Sequence, residues 1–180
     1  MPILTIGHST RSLDELIELL TGAGATAVID VRAFPRSRRH PQFNIDTMPG
    51  VLAVAGIAYT HLPALGGRRP KQPGVDPALN GSWRNQSFHN YADYALSRPF
   101  ADALAAVRER ARETRPTLLC AEALWQNCHR RLISDHLIAA GEGVFHILGK
   151  DRIEPAMLDP AAVVGPAGAV TYPPAQTSLL

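Results

Sequence analysis

The side chains best suited to chemistry lie in one stretch of the chain, residues 116–137. This stretch holds both cysteines of the protein, an acid, a histidine and an arginine: Cys120, Glu122, Cys128, His129 and Arg130. We expect a buried strand over 117–120 and an amphipathic helix with Asn127 as its N-cap. A helix start favours an anion or a thiolate. The sequence therefore predicts a pocket here, in which Glu122 is an acid or base or the orienting partner of Arg130.

The two cysteines have three interpretations that the sequence leaves open. In the first, one of them is a nucleophile, with Cys128 favoured by the helix start and Cys120 by its position at the strand end. In the second, Cys120, Cys128 and His129 bind zinc, because thiolate and imidazole are zinc ligands, and His8 is a further ligand. In the third, both cysteines are buried small apolar residues. We predict no cofactor, with zinc as the alternative.

Further polar residues follow the first two predicted strands. His8 and Ser9 come after the first strand, and Asp30 and Arg32 lie at the end of the second. His8 is either a proton carrier or a side chain that bonds to the backbone of its turn. Asp30 and Arg32 are either a general base beside an anion-binding guanidinium or a buried ion pair that holds the loop.

Two long irregular segments, residues 34–44 and 63–86, carry many of the remaining basic side chains. Guanidinium groups match phosphate oxygens, and the nearby aromatic residues Trp83, Phe88 and Tyr91 could stack on bases. A solvated basic loop is the alternative. The residues predicted to bind an anion are Ser9, Arg32, Ser37, Arg38, Gly66, Gly67 and Arg130.

Strands and helices alternate along the chain. Apolar runs predict strands at 3–6, 27–31, 57–62, 117–120 and 144–148. Helical periodicity predicts helices after a capping box at Ser12, near 47–55, from Tyr91 and from Ser97. This alternation predicts a single three-layer α/β domain, with a mainly parallel sheet and helices on both faces. Ligands of such sheets bind beyond the carboxyl ends of the strands, where the polar residues fall.

Length and composition limit the class of protein. With 180 residues, one domain is expected, over 1–153, and the region 154–180, rich in proline, alanine and glycine, is predicted to be an extended or partly disordered tail. Two cysteines make no disulfide scaffold, and the first residues lack a secretory signal. No apolar run reaches membrane-spanning length. We expect a cytoplasmic protein with reduced thiols and no membrane partner.

Short motifs carry a resemblance to a known bacterial and archaeal family. They are TIGHS at 5–9, DVR at 30–32, PxSR at 35–38 with Phe43 beyond, LGG at 65–67, and CxE followed by CHR between Cys120 and Arg130. In this order they resemble the domain of unknown function numbered 488, over roughly residues 4–149. The resemblance implies the α/β fold and the site, and it implies no particular reaction.

Together these features predict an enzyme, a hydrolase or group transferase, that acts on an anionic, phosphorylated or nucleotide-like substrate. A net charge of only +2 with clustered arginines favours a local anion site. The candidate catalytic residues are Cys120, Glu122, Cys128, His129, Asp30 and His8. The alternative is a nucleic-acid or nucleotide-binding module in which the cysteines are structural.

Overall fold

The computed structural model describes residues 1–175 of the chain. Its strands are β1 Ile3–Gly7, β2 Ala27–Asp30, β3 Ala58–His61, β4 Pro116–Cys120, β5 Val144–Gly149, β6 Arg152–Pro155, β7 Val163–Val164 and β8 Val170–Thr171. Its α-helices are α1 Leu13–Gly22, α2 Met48–Val54, α3 Gln86–Tyr94, α4 Arg98–Glu113 and α5 Arg130–Ala139. In this part of the chain, no helix combines the length and the apolar character that crossing a membrane requires.

Strands β1 to β6 form one sheet in the order β3-β2-β4-β1-β5-β6. β1 to β5 run parallel to their neighbours, and β6 is antiparallel to β5. Every residue of β1, β2 and β4 is buried, which explains why these central strands are continuous apolar runs in the sequence. The prediction of an α/β domain with a mainly parallel sheet is confirmed.

Helices cover both faces of this sheet. α1 and α2 pack on one face, where Leu16 and Leu52 form a core with Ile6 of β1. α3, α4 and α5 pack on the other face, where Val107 of α4 shares a core with Ile3 of β1. Alternate side chains of β1 therefore enter opposite cores. The three layers agree with the sequence prediction.

Two helix starts differ in how well local signals define them. Ser12 Oγ accepts a hydrogen bond from the backbone within the first turn of α1, as the capping pattern predicts. α3 begins at Gln86 and not at Tyr91, because the side chain of Asn85 caps it. The earlier start places the first turn of α3 beside the cavity described below.

The segment after residue 153, predicted to be an extended or partly disordered tail, packs on the domain as far as residue 175. β6 extends the sheet at β5, and β7 pairs with β8 in a small hairpin. Tyr172 is fully buried, and its hydroxyl donates to Asp135 of α5 at 2.8 Å. Strands of two to four residues are too short to produce a periodic pattern. The prediction for 176–180 concerns residues outside those described.

Candidate active site

A cavity of about 420 Å³ lies beyond the carboxyl ends of β2 and β4. Its walls come from the segments that follow β2, β3 and β4 and from the first turns of α3. The lining residues include Arg32, Phe34, Gly67, Arg68, Asn85, Phe88, Tyr91, Cys120, Glu122, Cys128 and His129. The parallel sheet thus brings residues that are far apart in sequence to one place.

The residues before α5 form a turn and not the predicted helix start. Trp125–Asn127 is a 3-10 turn, and α5 begins at Arg130. Cys128 has an extended backbone, with φ −128° and ψ 147°. Its amide donates to the carbonyl of Trp125, which closes the turn. The prediction that Asn127 caps the helix is therefore wrong, and Cys128 precedes the first helical turn.

The two cysteines lie side by side at the cavity. Cys120 is 6% exposed and Cys128 is 2% exposed, and their sulfurs lie within 4.8 Å of each other. The neighbouring thiol of Cys120 lowers the pKa of Cys128 well below its ordinary value, with smaller contributions from His129 and Arg130, although burial opposes it. The same interaction between the two sulfurs, together with burial, raises the pKa of Cys120. The pair therefore favours a thiolate at Cys128 and a thiol at Cys120.

The imidazole of His129 lies between Cys128 and the end of β2. Nε2 donates to the carbonyl of Val31 at 2.9 Å, so in the neutral ring Nδ1 carries no proton. Nδ1 lies 3.7 Å from Cys128 Sγ. A Cβ added to Gly67 would lie only 2.9 Å from Nδ1, so glycine is required for this close approach. Nδ1 is therefore placed to accept the proton of Cys128, and the resulting imidazolium stabilises the Cys128 thiolate.

Arg130 supplies a buried positive charge beside this thiol. Arg130 is 1% exposed, whereas the sequence predicts that it lies at the edge of the apolar face of this helix. Nε donates to Cys128 Sγ at 3.3 Å, and Nη2 donates to the carbonyl of Glu122. A Cβ at Gly7 would lie 1.8 Å from the Glu122 carbonyl oxygen and 3.0 Å from Nη2, so the glycine that ends β1 makes room for the carbonyl that accepts from Arg130. The guanidinium charge favours the thiolate form of Cys128.

A second polar cluster supports the end of β2. Asp30 is fully buried, and it accepts from Arg32 Nε at 2.9 Å and from the Tyr59 hydroxyl at 2.7 Å. Arg32 Nη1 donates to Nε2 of His8, whose Nδ1 donates to the Ser9 carbonyl. Burial lowers the pKa of His8 to about 4. Of the residues in this cluster, Arg32 is among the described residues that line the cavity, and Asp30, Tyr59 and His8 are not. Asp30 and His8 therefore hold Arg32 in position.

Several residues predicted to bind an anion have backbone roles or lie away from the cavity. Ser37 Oγ accepts from two amides of its own loop. The Ser9 amide donates to the backbone of the loop after β4. Gly66 allows its loop to approach the segment after β2, since a Cβ there would lie 2.9 Å from a backbone atom. Arg38 is exposed and is not among the described lining residues.

One group of side chains could hold a metal ion. The ligand atoms of Cys120, Cys128 and His129 lie within 4.8 Å of one another, and within residues 1–175 no other such group of three is present. Two thiolates and an imidazole suit zinc, and a ligating histidine commonly donates its other nitrogen to a carbonyl, as His129 does. His8 is not part of the group. Three ligands leave one zinc position for a molecule in the cavity.

Sequence reasoning assigned no site role to Asn85 of the cavity wall, and it named Phe88 and Tyr91 only as aromatic rings that could stack on bases. Tyr91 donates through its hydroxyl to a carbonyl of the loop after β3 at 2.7 Å, and its ring centroid lies 5.2 Å from that of His129. Asn85 and Phe88 come from the start of α3. The signal that could have located them is the helix cap at Asn85.

Comparison with known proteins gives a family match. The model of the family described as Domain of unknown function DUF488 matches residues 12–137. No curated protein and no solved structure matches the chain. The matched region contains β2, β4 and the complete cluster of thiols, imidazole and guanidinium.

Proposed function

The chain belongs to the DUF488 family, and we propose that it is an enzyme that uses Cys128 as a nucleophile on an anionic, phosphorylated or nucleotide-like substrate. The observation that carries this proposal is the contact of one sulfur with both an imidazole and a guanidinium. His129 Nδ1 lies 3.7 Å from Cys128 Sγ, and Arg130 Nε lies 3.3 Å from it. A thiol with an oriented base beside it is the arrangement that nucleophilic catalysis requires.

The proposed reaction begins with transfer of the Cys128 proton to Nδ1 of His129. The thiolate then attacks the electrophilic phosphorus or carbon atom of the substrate, and the imidazolium returns the proton to the leaving group. Attack by water on the covalent intermediate makes the protein a hydrolase, and attack by another acceptor makes it a transferase. Glu122, exposed at the cavity, is the carboxylate we assign to activation of that second nucleophile.

Binding of the anion is assigned to the guanidinium groups of the cavity. Arg32 Nη1 has His8 as its one hydrogen-bond partner within residues 1–175, which leaves its second hydrogen for a ligand. Arg68 is exposed at the cavity. Charge-assisted hydrogen bonds from guanidinium to phosphate oxygens are among the stronger polar contacts in proteins. Asp30 is assigned no proton transfer, because it is fully buried and already bonded to Arg32 and Tyr59.

The test is hydrolysis of a panel of activated esters, with para-nitrophenyl phosphate and bis-para-nitrophenyl phosphate as the first members. We expect Cys128→Ser to reduce turnover by a factor on the order of 10² or more, the range typical of lost chemical catalysis. Cys120→Ser is the matched control, because it removes the neighbouring thiol and keeps a hydroxyl donor. Equal turnover by wild type and Cys128→Ser would exclude the nucleophile.

A nucleic-acid-binding module is the second candidate. It is supported by Phe34, which is 72% exposed at the cavity, and by the exposed guanidinium groups of Arg36 and Arg68 beside the same cavity. Stacking on an aromatic ring and contacts to phosphate would bind a single strand. A labelled oligonucleotide should then lose affinity steeply with salt and on Arg68→Ala substitution, and Cys128→Ser should have no effect.

A further inference from the structure

We propose that Cys128 and Cys120 are a peroxide-reactive pair, in which a hydroperoxide oxidises Cys128 and Cys120 converts the product to an intramolecular disulfide. The inference rests on the thiol site of the proposed function and not on its substrate. It adds a covalent modification site and an oxidant class to that site.

The first step of the argument is the placement of the two sulfurs. They lie within 4.8 Å of each other, and one of them accepts a hydrogen bond from Arg130 Nε at 3.3 Å. Only the thiolate form of cysteine reacts readily with peroxide, and a guanidinium in contact with the sulfur favours that form. Cys128 is therefore the residue that peroxide oxidises, and Cys120 is the thiol next to it.

The second step is access. Cys128 and Cys120 are 2% and 6% exposed, yet both line a cavity of about 420 Å³. A molecule of the size of hydrogen peroxide can enter this cavity, whereas the cysteine of another folded protein cannot reach the sulfurs. The oxidised Cys128 then has Cys120 as its reaction partner, because the competing thiols of other proteins are excluded.

The chemistry balances with a hydroperoxide as the oxidant. The Cys128 thiolate attacks one peroxide oxygen, the O–O bond breaks, and the leaving hydroxide or alkoxide takes the proton from the His129 imidazolium. This gives a sulfenic acid and water or an alcohol. Cys120 then loses its proton, its sulfur attacks the sulfenic sulfur, and water leaves as the disulfide forms. The two sulfurs together supply two electrons, and a small external dithiol restores both thiols as it is itself oxidised to a disulfide.

Formation of the disulfide requires one of the two cysteines to move toward the other. A disulfide requires a separation of about 2.05 Å, shorter than the contact of two thiols. Cys120 is the last residue of β4, and Cys128 lies in the extended position between a 3-10 turn and α5. We therefore expect Cys128 to make most of the movement. The disulfide consumes the thiolate that the proposed catalysis uses, so oxidation switches that reaction off.

The experiment treats the reduced full chain with hydrogen peroxide in the presence of a chelator, blocks remaining thiols with N-ethylmaleimide and measures the intact mass. Because the chain has two cysteines, the number of maleimide groups reports the state of the pair. We expect wild type to lose two hydrogens, to bind no maleimide and to recover both thiols with dithiothreitol. Cys120→Ser should gain one oxygen at residue 128, trapped by dimedone.

Three results would overturn the proposal. They are a sulfenic acid that persists in wild type, a disulfide-linked dimer on a non-reducing gel, and equally rapid oxidation of Cys128→Ser and Cys120→Ser. If Cys128→Ser does not fold, peptide mapping of Cys120→Ser treated with peroxide and dimedone decides the question, because Cys128 is its one remaining cysteine and an unmodified Cys128 would overturn the proposal. Ester hydrolysis by the reduced protein is measured separately, so failure of the proposed function and failure of this inference are distinguishable.

Discussion

Substitution of Gly67 by alanine tests whether His129 controls the reactivity of Cys128. The added Cβ would lie 2.9 Å from Nδ1 and 3.4 Å from two ring carbons of His129. Carbon contacts are normally about 3.5–4.0 Å, so the ring must shift by roughly 0.5 Å or more. We expect this shift to disturb the contact of Nδ1 with the sulfur and the hydrogen bond from Nε2 to the Val31 carbonyl.

The expected size of the effect follows from the contact that is lost. A hydrogen bond to a charged group contributes about 1.5–3 kcal/mol, and one pKa unit corresponds to about 1.4 kcal/mol. The pKa of Cys128, which His129 helps to lower, should therefore rise in Gly67→Ala. Overpacking should reduce the free energy of unfolding by about 1–3 kcal/mol, because the ring can yield only in part.

The assay is the rate of alkylation of Cys128 by iodoacetamide as a function of pH, followed by peptide mass spectrometry. The midpoint of this profile should move upward in Gly67→Ala. Gly22→Ala is the matched control, because no atom lies within 4 Å of its added Cβ, and its midpoint should equal that of wild type. An unchanged midpoint in a folded Gly67→Ala protein, with the fold checked by circular dichroism, would refute the role assigned to His129.

Three further predictions concern stability and metal binding. Asp30→Asn should lower the free energy of unfolding in urea by roughly 3 kcal/mol, because it leaves the buried Arg32 without its charge partner, whereas Asp46→Asn, which breaks an exposed pair, should change it little. Burial lowers the pKa of His136 from 6.5 to about 4, so the unfolded chain binds more protons between these pH values and the free energy of unfolding falls as the pH drops through them. His136→Leu should reduce that fall by roughly 3 kcal/mol. An unchanged dependence of the free energy of unfolding on pH would contradict this. Added Zn²⁺ should slow alkylation of Cys128 and EDTA should restore its rate, because three suitable ligand atoms lie within 4.8 Å of one another. An alkylation rate that does not change with Zn²⁺ would exclude metal binding at these residues.

The parts of the fold that local patterns define were predictable from the sequence. The central strands are buried on both faces, so they leave continuous apolar runs that cannot be mistaken for solvated loops. The region after residue 153 was not predictable in the same way. It is held by long-range contacts such as the hydrogen bond from the Tyr172 hydroxyl to Asp135, and no periodic pattern in the sequence predicts such a contact.

The site was predictable in its residue types and not in its contacts. Sequence reasoning placed Cys128, His129 and Arg130 beside the end of β4 because strand ends of a parallel sheet share one edge. It left Asp30 open as a base or an ion-pair partner, since the bond from Tyr59 that completes the burial of Asp30 comes from another strand. It predicted that Gly67 binds a ligand, and it did not predict the close approach of His129 that the missing Cβ of Gly67 allows.

The two polar clusters of this site differ in how their charges are balanced, and this difference explains their separate roles. In the cluster of Asp30 and Arg32, a fully buried carboxylate compensates the charge of a guanidinium that borders the cavity, so neither can lose its partner without a large penalty. In the cluster of Cys128 and Arg130, the compensating anion is a thiolate, which can accept a proton or form a covalent bond. Any step that consumes the thiolate leaves the Arg130 charge without its partner. An anionic substrate that reaches the sulfur replaces that partner, so binding of the anion and reaction of the thiolate support each other.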